Sequence, residues 1–363
     1  MQPVSVFKKL SLKNLALAGI VVFGSGSAWA AADCTLTPSS PNVIFNINNL
    51  LDVTATDRRL PIAFSMTCRK QNIWINGRFC LRIGAGSAGT PVGTAYAPRW
   101  LQKGTDYAGF QIYKDAAYSS VWGPNAAAPA QQIAGNLDMT GSTIFSYWNI
   151  NLPNGGNYPL YVELLSTFPT VAGVNDIKML APGTYTSSFS TDTGWVLDFG
   201  TGYADDCTGG SGERITGALT FAVTANIAAQ CKITTPAADI DFGTQSGTAT
   251  NLLGTTAVGV QCTRTTPYFI GLLPGNGNTA GAGVMSAISP VGNTDTVPYQ
   301  LRQATGMSGT IWGNTATSLA AGNGVAGTGL GSSAITYPIY ATVPTANRAA
   351  GSYQDTVTIT VNY

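Results

Sequence analysis

The sequence predicts an all-β protein in two domains of sandwich or barrel type, and three observations carry the prediction. Apolar residues alternate with polar ones at the strand period, an even number of cysteines lies beyond an export leader, and one set of landmarks occurs twice in the same order. The alternation is clearest in Leu219, Phe221, Val223, Ala225 and Ile227, and again in Val357, Ile359, Val361 and Tyr363. Around these runs the chain is rich in Gly, Thr, Ser and Asn, and only 10% of its residues are charged, which favours short strands joined by turns over helices.

Residues 1–30 read as a signal peptide. Lys8, Lys9 and Lys13 precede or border an apolar run at 15–23, and Ala28-Trp29-Ala30 is a small-x-small cleavage site. The run is too short to span a bilayer, and no later stretch is long enough. Cleavage after Ala30 leaves 333 of the 363 residues, enough for two domains that each bury a core. The mature chain is expected to be exported and soluble. It carries 15 basic and 17 acidic residues scattered along its length, so nucleic acid, which needs clustered Lys and Arg, is not an expected partner.

Cys34, Cys68, Cys80, Cys207, Cys231 and Cys262 all follow the leader, and six in an exported chain imply three disulfides. Cys34 precedes Phe45 by eleven residues and Cys231 precedes Phe242 by eleven, with Cys68 and Cys262 following in turn. Each repeat thus carries its own pair, Cys34 with Cys68 and Cys231 with Cys262, which leaves Cys80 for Cys207. No metal or cofactor is expected, because the chain has no histidine and no Cys-x-x-Cys.

The repeat continues. Phe110-Gln111-Ile112 and Trp122-Gly123 answer Tyr299-Gln300-Leu301 and Trp312-Gly313; Tyr158-Pro159-Leu160-Tyr161 answers Tyr337-Pro338-Ile339-Tyr340; Gly183-Thr184-Tyr185 answers Gly351-Ser352-Tyr353. This divides the mature chain into residues 31–227 and 228–363. The first copy is longer: Trp122 to Tyr158 spans 36 residues against 25 for Trp312 to Tyr337, and Tyr161 to Tyr185 spans 24 against 13 for Tyr340 to Tyr353. The extra segments carry Phe145, Tyr147 and Trp148, then Phe168, Val171, Val174, Met179 and Leu180, and after Tyr185 a third set, Trp195, Val196, Leu197 and Phe199. Of 35 aromatic residues, 23 fall in the first domain. Trp122, with its equivalent Trp312, is expected to be core, as is Trp74. For the insertion residues two readings stand: an exposed binding surface, or loops folded back over the core.

From Gly217 through Cys231 (Gly-Ala-Leu-Thr-Phe-Ala-Val-Thr-Ala-Asn-Ile-Ala-Ala-Gln-Cys) the chain resembles the start of a mature pilin of the spore coat protein U domain family, the subunits of archaic, Csu-type chaperone-usher pili. The similarity extends through Asp239-Ile240-Asp241-Phe242-Gly243, Val258-Gly259-Val260-Gln261-Cys262 and the closing Val357–Tyr363 run, and more loosely through the first domain. It implies immunoglobulin-like sandwiches, the second lacking its last strand, and β-augmentation by a strand donated from a periplasmic chaperone and then from the adjacent subunit, with an outer-membrane usher as a further partner. Leu219, Phe221, Val223, Ala225 and Ile227 are then the donor residues that complete the first domain within the same chain. Val357, Ile359, Val361 and Tyr363 are the strand that meets chaperone or subunit.

Only residues 31–33 separate the expected cleavage site from Cys34, too few to donate a strand. A subunit that accepts but does not donate belongs at the end of a fibre. The sequence therefore predicts a pilus tip at the cell surface, attaching to abiotic or host surfaces and supporting biofilm, with a glycan-binding tip or a secreted coat protein as the other readings. An enzyme is not expected: without histidine there is no Ser-His or Cys-His nucleophile, Asp205-Asp206 reads as a solvated turn, and Gly275-Asn276-Gly277 reads as a hairpin turn.

Overall fold

The computed structural model describes residues 33–40, 42–70, 77–89, 98–122, 133–137, 148–149, 156–190, 193–199 and 214–363. The first half contributes β1 (Asp33–Pro38), β2 (Asn42–Ile47), β3 (Arg59–Lys70), β4 (Gly77–Arg82), β5 (Arg99–Lys103), β6 (Asp106–Tyr113), β7 (Ile133–Leu137), β8 (Trp148–Asn149), β9 (Asn157–Leu164), β10 (Thr167–Val171), β11 (Val174–Asp176), β12 (Gly183–Phe189), β13 (Gly194–Phe199), β14 (Arg214–Ala218) and β15 (Phe221–Ile227). The second contributes β16 (Cys231–Thr235), β17 (Thr250–Cys262), β18 (Pro267–Pro274), β19 (Ala282–Ser289), β20 (Thr296–Arg302), β21 (Val325–Thr328), β22 (Ile335–Thr345), β23 (Ser352–Gln354) and β24 (Val357–Asn362). The all-β expectation holds, and the short 3-10 turns only join strands.

Each half is a sandwich. In the first, a sheet ordered β1-β3-β9-β6-β5-β12-β15-β2 packs on one ordered β14-β13-β4-β7; in the second, β16-β17-β22-β20-β19-β23 packs on β24-β18-β21. The two orders match strand for strand from β1/β16 to β12/β23 and from β13/β24 to β7/β21. In this alignment β2, β8, β10, β11, β14 and β15 have no counterpart in the second half.

Alternation places one face of each strand inside. Phe45, Phe64, Phe79, Phe110, Trp100, Trp122, Tyr158 and Tyr185 fill the first core, and Trp312 and Tyr268 anchor the second, all 1% exposed or less. Trp122 and Trp312 are thus both core, as the repeat predicts; Trp74 lies outside the described residues. Cys34 stands directly opposite Cys68 across β1 and β3, and Cys231 opposite Cys262 across β16 and β17, and both pairs are bonded. Cys80 is disulfide-bonded too; Cys207, its expected partner, lies outside the described residues.

The binding-surface reading of the insertions fails for the side chains the structure describes. Phe168, Val174, Leu180, Trp195 and Val196 are 8%, 2%, 0%, 6% and 7% exposed, and Val171 and Met179 are half-buried against the same core. The physical cause is local. The β10–β11 hairpin folds back onto β6, where Gly109 leaves room for Phe168: a Cβ there would meet the Phe168 Cβ at 2.7 Å. The Phe168 ring stands edge-on to Trp100, centroids 5.5 Å apart. Trp195 and Val196 lie on β13, hydrogen-bonded between β14 and β4, and the Trp195 ring lies across Gly217. This segment is also not an extra one: β13 is the counterpart of β24. Leu197 and Phe199 are on the same strand with their side chains outside the described residues, and Trp148 pairs with Lys70 by its backbone. Phe145 and Tyr147 lie outside the described residues.

Candidate functional site: the open edge of the second sandwich

In the first sandwich β12 is flanked on one side by β5 and on the other by β15, while β13 is flanked by β4 and β14. Strand β15 runs antiparallel to β12 from Phe221 opposite Phe189 to Ile227 opposite Gly183, and parallel to β2 from Ala222 opposite Asn42 to Ile227 opposite Ile47. The alternation that starts at Leu219, just before the strand, runs through it unbroken: Leu219, Phe221, Val223, Ala225 and Ile227 are all 4% exposed or less. Phe221 stacks on Phe189 with centroids 4.4 Å apart and meets Phe64 at 5.5 Å. The strand that precedes the second domain in sequence is therefore a structural part of the first.

The second sandwich lacks this closure. Strand β23 pairs with β19 alone and β24 with β18 alone, so among the described residues their outer backbone N–H and C=O groups have no ladder partner. Burial registers the loss. Tyr185 on β12 is fully buried, whereas its equivalent Tyr353 on β23 is half-buried. Val357, Ile359 and Val361 on β24 are half-buried, and Tyr363 is 50% exposed.

Across the slot, Ile240 and Phe242 are half-buried and rest over Gly254 of β17, in the position where Phe45 of β2 is 1% exposed. Residues 236–243 form no strand. The reason is that β2 is held by β15, and the second half offers nothing in that place. Leu252 and Met285, also half-buried, pack against the core with these residues.

The site is thus an apolar slot between an unpaired sheet edge and a segment that forms no strand. Unpaired strand edges template a further strand, and each apolar side chain that such a strand carried from water into the slot would contribute about 1.5–3 kcal/mol. Asp355, where the chain crosses between sheets, accepts the Tyr299 hydroxyl at 2.6 Å; burial, then this carboxylate, raises the Tyr299 pKa. Among the described residues no group of three His, Cys, Asp or Glu side chains gathers as a metal site, and Asp205-Asp206 lies outside them.

Val357, Ile359 and Val361, which the sequence reading assigns to contact with chaperone or subunit, lie together along the slot, partly buried against the second core; Tyr363 lies at the free end. The donor residues close the other sandwich. Sequence reasoning missed Leu252, Met285 and Tyr353 as slot residues. The repeat could have found Tyr353, since it is the equivalent of Tyr185, which packs beneath β15.

No match is found among the curated proteins. Among solved structures the chain is similar to the CsuC–CsuE chaperone–tip adhesion subunit pre-assembly complex from archaic chaperone-usher Csu pili of Acinetobacter baumannii, with 16% identity, 91% of this chain and 100% of that one covered, and a TM-score of 0.45. It is also similar to the CupB6 tip adhesin from Pseudomonas aeruginosa (11% identity, 92% and 94% covered, TM-score 0.34) and to CfaE, the adhesive subunit of CFA/I fimbria of enterotoxigenic Escherichia coli (10%, 90% and 92%, 0.32). The family model of the Spore Coat Protein U domain matches twice, at residues 24–191 and 218–360. The second match begins at β14–β15, so the strand that closes the first sandwich is, in sequence, the opening segment of the second copy. With both copies spanning most of its length, the chain belongs to the Spore Coat Protein U domain family.

Proposed function

We propose that this protein is the terminal, adhesive subunit of a chaperone-usher pilus. The first sandwich, closed by its own chain, makes contact with an abiotic or host surface. The second accepts a strand, first from a periplasmic chaperone and then, at the outer-membrane usher, from the adjacent pilin. The observation that carries this reading is the unpaired edge of β23 and β24 beside the closed edge of β12 and β13. An unpaired edge over an apolar slot is an assembly device, because leaving it open in solution invites aggregation. Surface attachment and biofilm formation then belong to the first sandwich, with Phe145, Tyr147 and Trp148 as the remaining aromatic candidates. The reading includes no catalytic role.

The test is periplasmic expression with and without a pilus chaperone of this family. The chain should accumulate as a soluble one-to-one complex with the chaperone and be degraded or aggregate alone. A stable, monomeric chain in the absence of any chaperone would contradict the proposal.

A further inference from the structure

The junction between the two halves is a built interface. Gln230, in the segment that links β15 to β16, accepts the Leu51 amide at 3.0 Å and donates to Asn49 Oδ1 at 2.6 Å. Lys232 pairs with Asp52. From the turn after the second cysteine of the repeat, Arg264 pairs with Asp106 at 2.7 Å and donates to the Met179 carbonyl at 2.6 Å. Gly331 sits so close to the backbone at 178–179 that a Cβ would meet the Lys178 oxygen at 2.6 Å. The first sandwich thus offers one pole, where β15 leaves the sheet and the β5–β6 turn lies, and the body that follows β15 seats on it.

The second sandwich has the same pole. Setting Tyr299-Gln300-Leu301 on Phe110-Gln111-Ile112 puts Asp295 where Asp106 stands. Asp295 is half-buried, and its Oδ2 accepts the Ala349 amide at 2.8 Å; among the described residues no cation pairs with it. The β19–β20 connection beside it is longer than the β5–β6 turn and exposes Val291 at 103%, and the end of β19 leading into it exposes Ile288 at 61%. A strand filling the slot in the orientation of β15 would leave it at this pole, and the body attached to that strand would emerge there.

We propose that the pole formed by residues 286–296 and 344–351 is the seat of the next subunit's body. Asp295 takes a cationic side chain from the turn after that subunit's second cysteine, and Ile288 and Val291 are covered by its surface. The inference rests on the assembly reading above and goes further: filling the slot and seating the body are separate events, the second copying the junction already present within this chain.

Hydrogen exchange separates them. The full-length chain is followed in three states: bound to its chaperone, with the slot filled by a synthetic peptide of residues 214–227, which carries both β14 and β15, and incorporated into purified pili. Amides of 352–354 and 357–362 should be protected in the peptide-filled and pilus states alike. Amides of 286–296 should slow about tenfold or more only in pili, where a body follows the strand. Asp295→Arg should abolish that pole protection while leaving incorporation and slot protection unchanged, and a paired Arg→Asp change in the neighbouring subunit's turn should restore it. Pole amides that exchange in pili as fast as with peptide, beside a protected slot, would overturn the inference and leave the assembly reading standing. Failure of the wild-type chain to enter pili would overturn both.

Discussion

Single residues decide which of two chemically identical readings is right. Phe168 and Trp195 are apolar, lie in regions without an obvious sequence equivalent, and would suit an exposed contact as well as a core. Gly109 and Gly217 decide it, each leaving a space that one of these rings fills. A glycine across the sheet is separated from its ring in sequence, so this pairing is not legible without the fold. The buried Arg99 is another such residue: it donates to the carbonyls of Ile83, Gly84 and Trp122 inside the first sandwich, at a position where the register of the second half has Gly283. The tyrosines yield a measurable consequence. Burial, then the Glu163 carboxylate, pushes Tyr113 up to about 12, and burial, then Asp106, pushes Tyr185 to about 12; burial raises Tyr158, Tyr268 and Tyr299 as well. A raised folded pKa means the fold favours the neutral phenol. That contribution is complete below the ordinary value of 10.0 and is lost as pH rises through about 12. Spectrophotometric titration should therefore find a group of tyrosines that forms no phenolate until the chain unfolds near pH 12, and ionisation of every tyrosine around pH 10 with the fold intact would contradict the burial described.

At the scale of elements, alternation and cysteine spacing made most of the fold legible. The runs ending at Ile227 and at Tyr363 are strands with the expected faces, and the two predicted short disulfides join residues directly opposite each other. Strand β13 was not legible as a shared element. Its sequence resembles β24 little, and the repeat landmarks stop at Tyr185 and Tyr353, so everything after Tyr185 reads as added. Only sheet order shows β13 in the place of β24. The β14 segment docks on β13 through the contact of Gly217 with the Trp195 ring, where any Cβ would collide. Gly217→Val should lower the stability of the first sandwich by about 1–3 kcal/mol, the usual cost of overpacking, and leave the second unchanged. Denaturant unfolding followed separately in the two halves by hydrogen exchange checks this, and an unaltered first half would mean that β14 does not close over Trp195.

For the whole molecule, the difference between the halves matters more than their likeness. One chain contains a finished sandwich and an unfinished one, and the missing part of the second is what the segment before it supplies to the first. The two-fold repeat was legible from its landmarks and from the resemblance at 217–231. The junction pole was not, because it depends on Arg264 meeting Asp106 across 158 residues of sequence. The claim on which this account stands is that the slot along β23 and β24 accepts a strand. Its most direct measurement is the thermal unfolding and backbone hydrogen exchange of the second half with and without a peptide of residues 214–227, which spans β14 and β15. The account predicts that a hundredfold excess of peptide over its Kd stabilises the second half by about 2.7 kcal/mol, and that amides of 352–354 and 357–362 become as protected as those of 183–189. No binding, or amides in β23 and β24 already as protected as those of β12 before peptide is added, would contradict it.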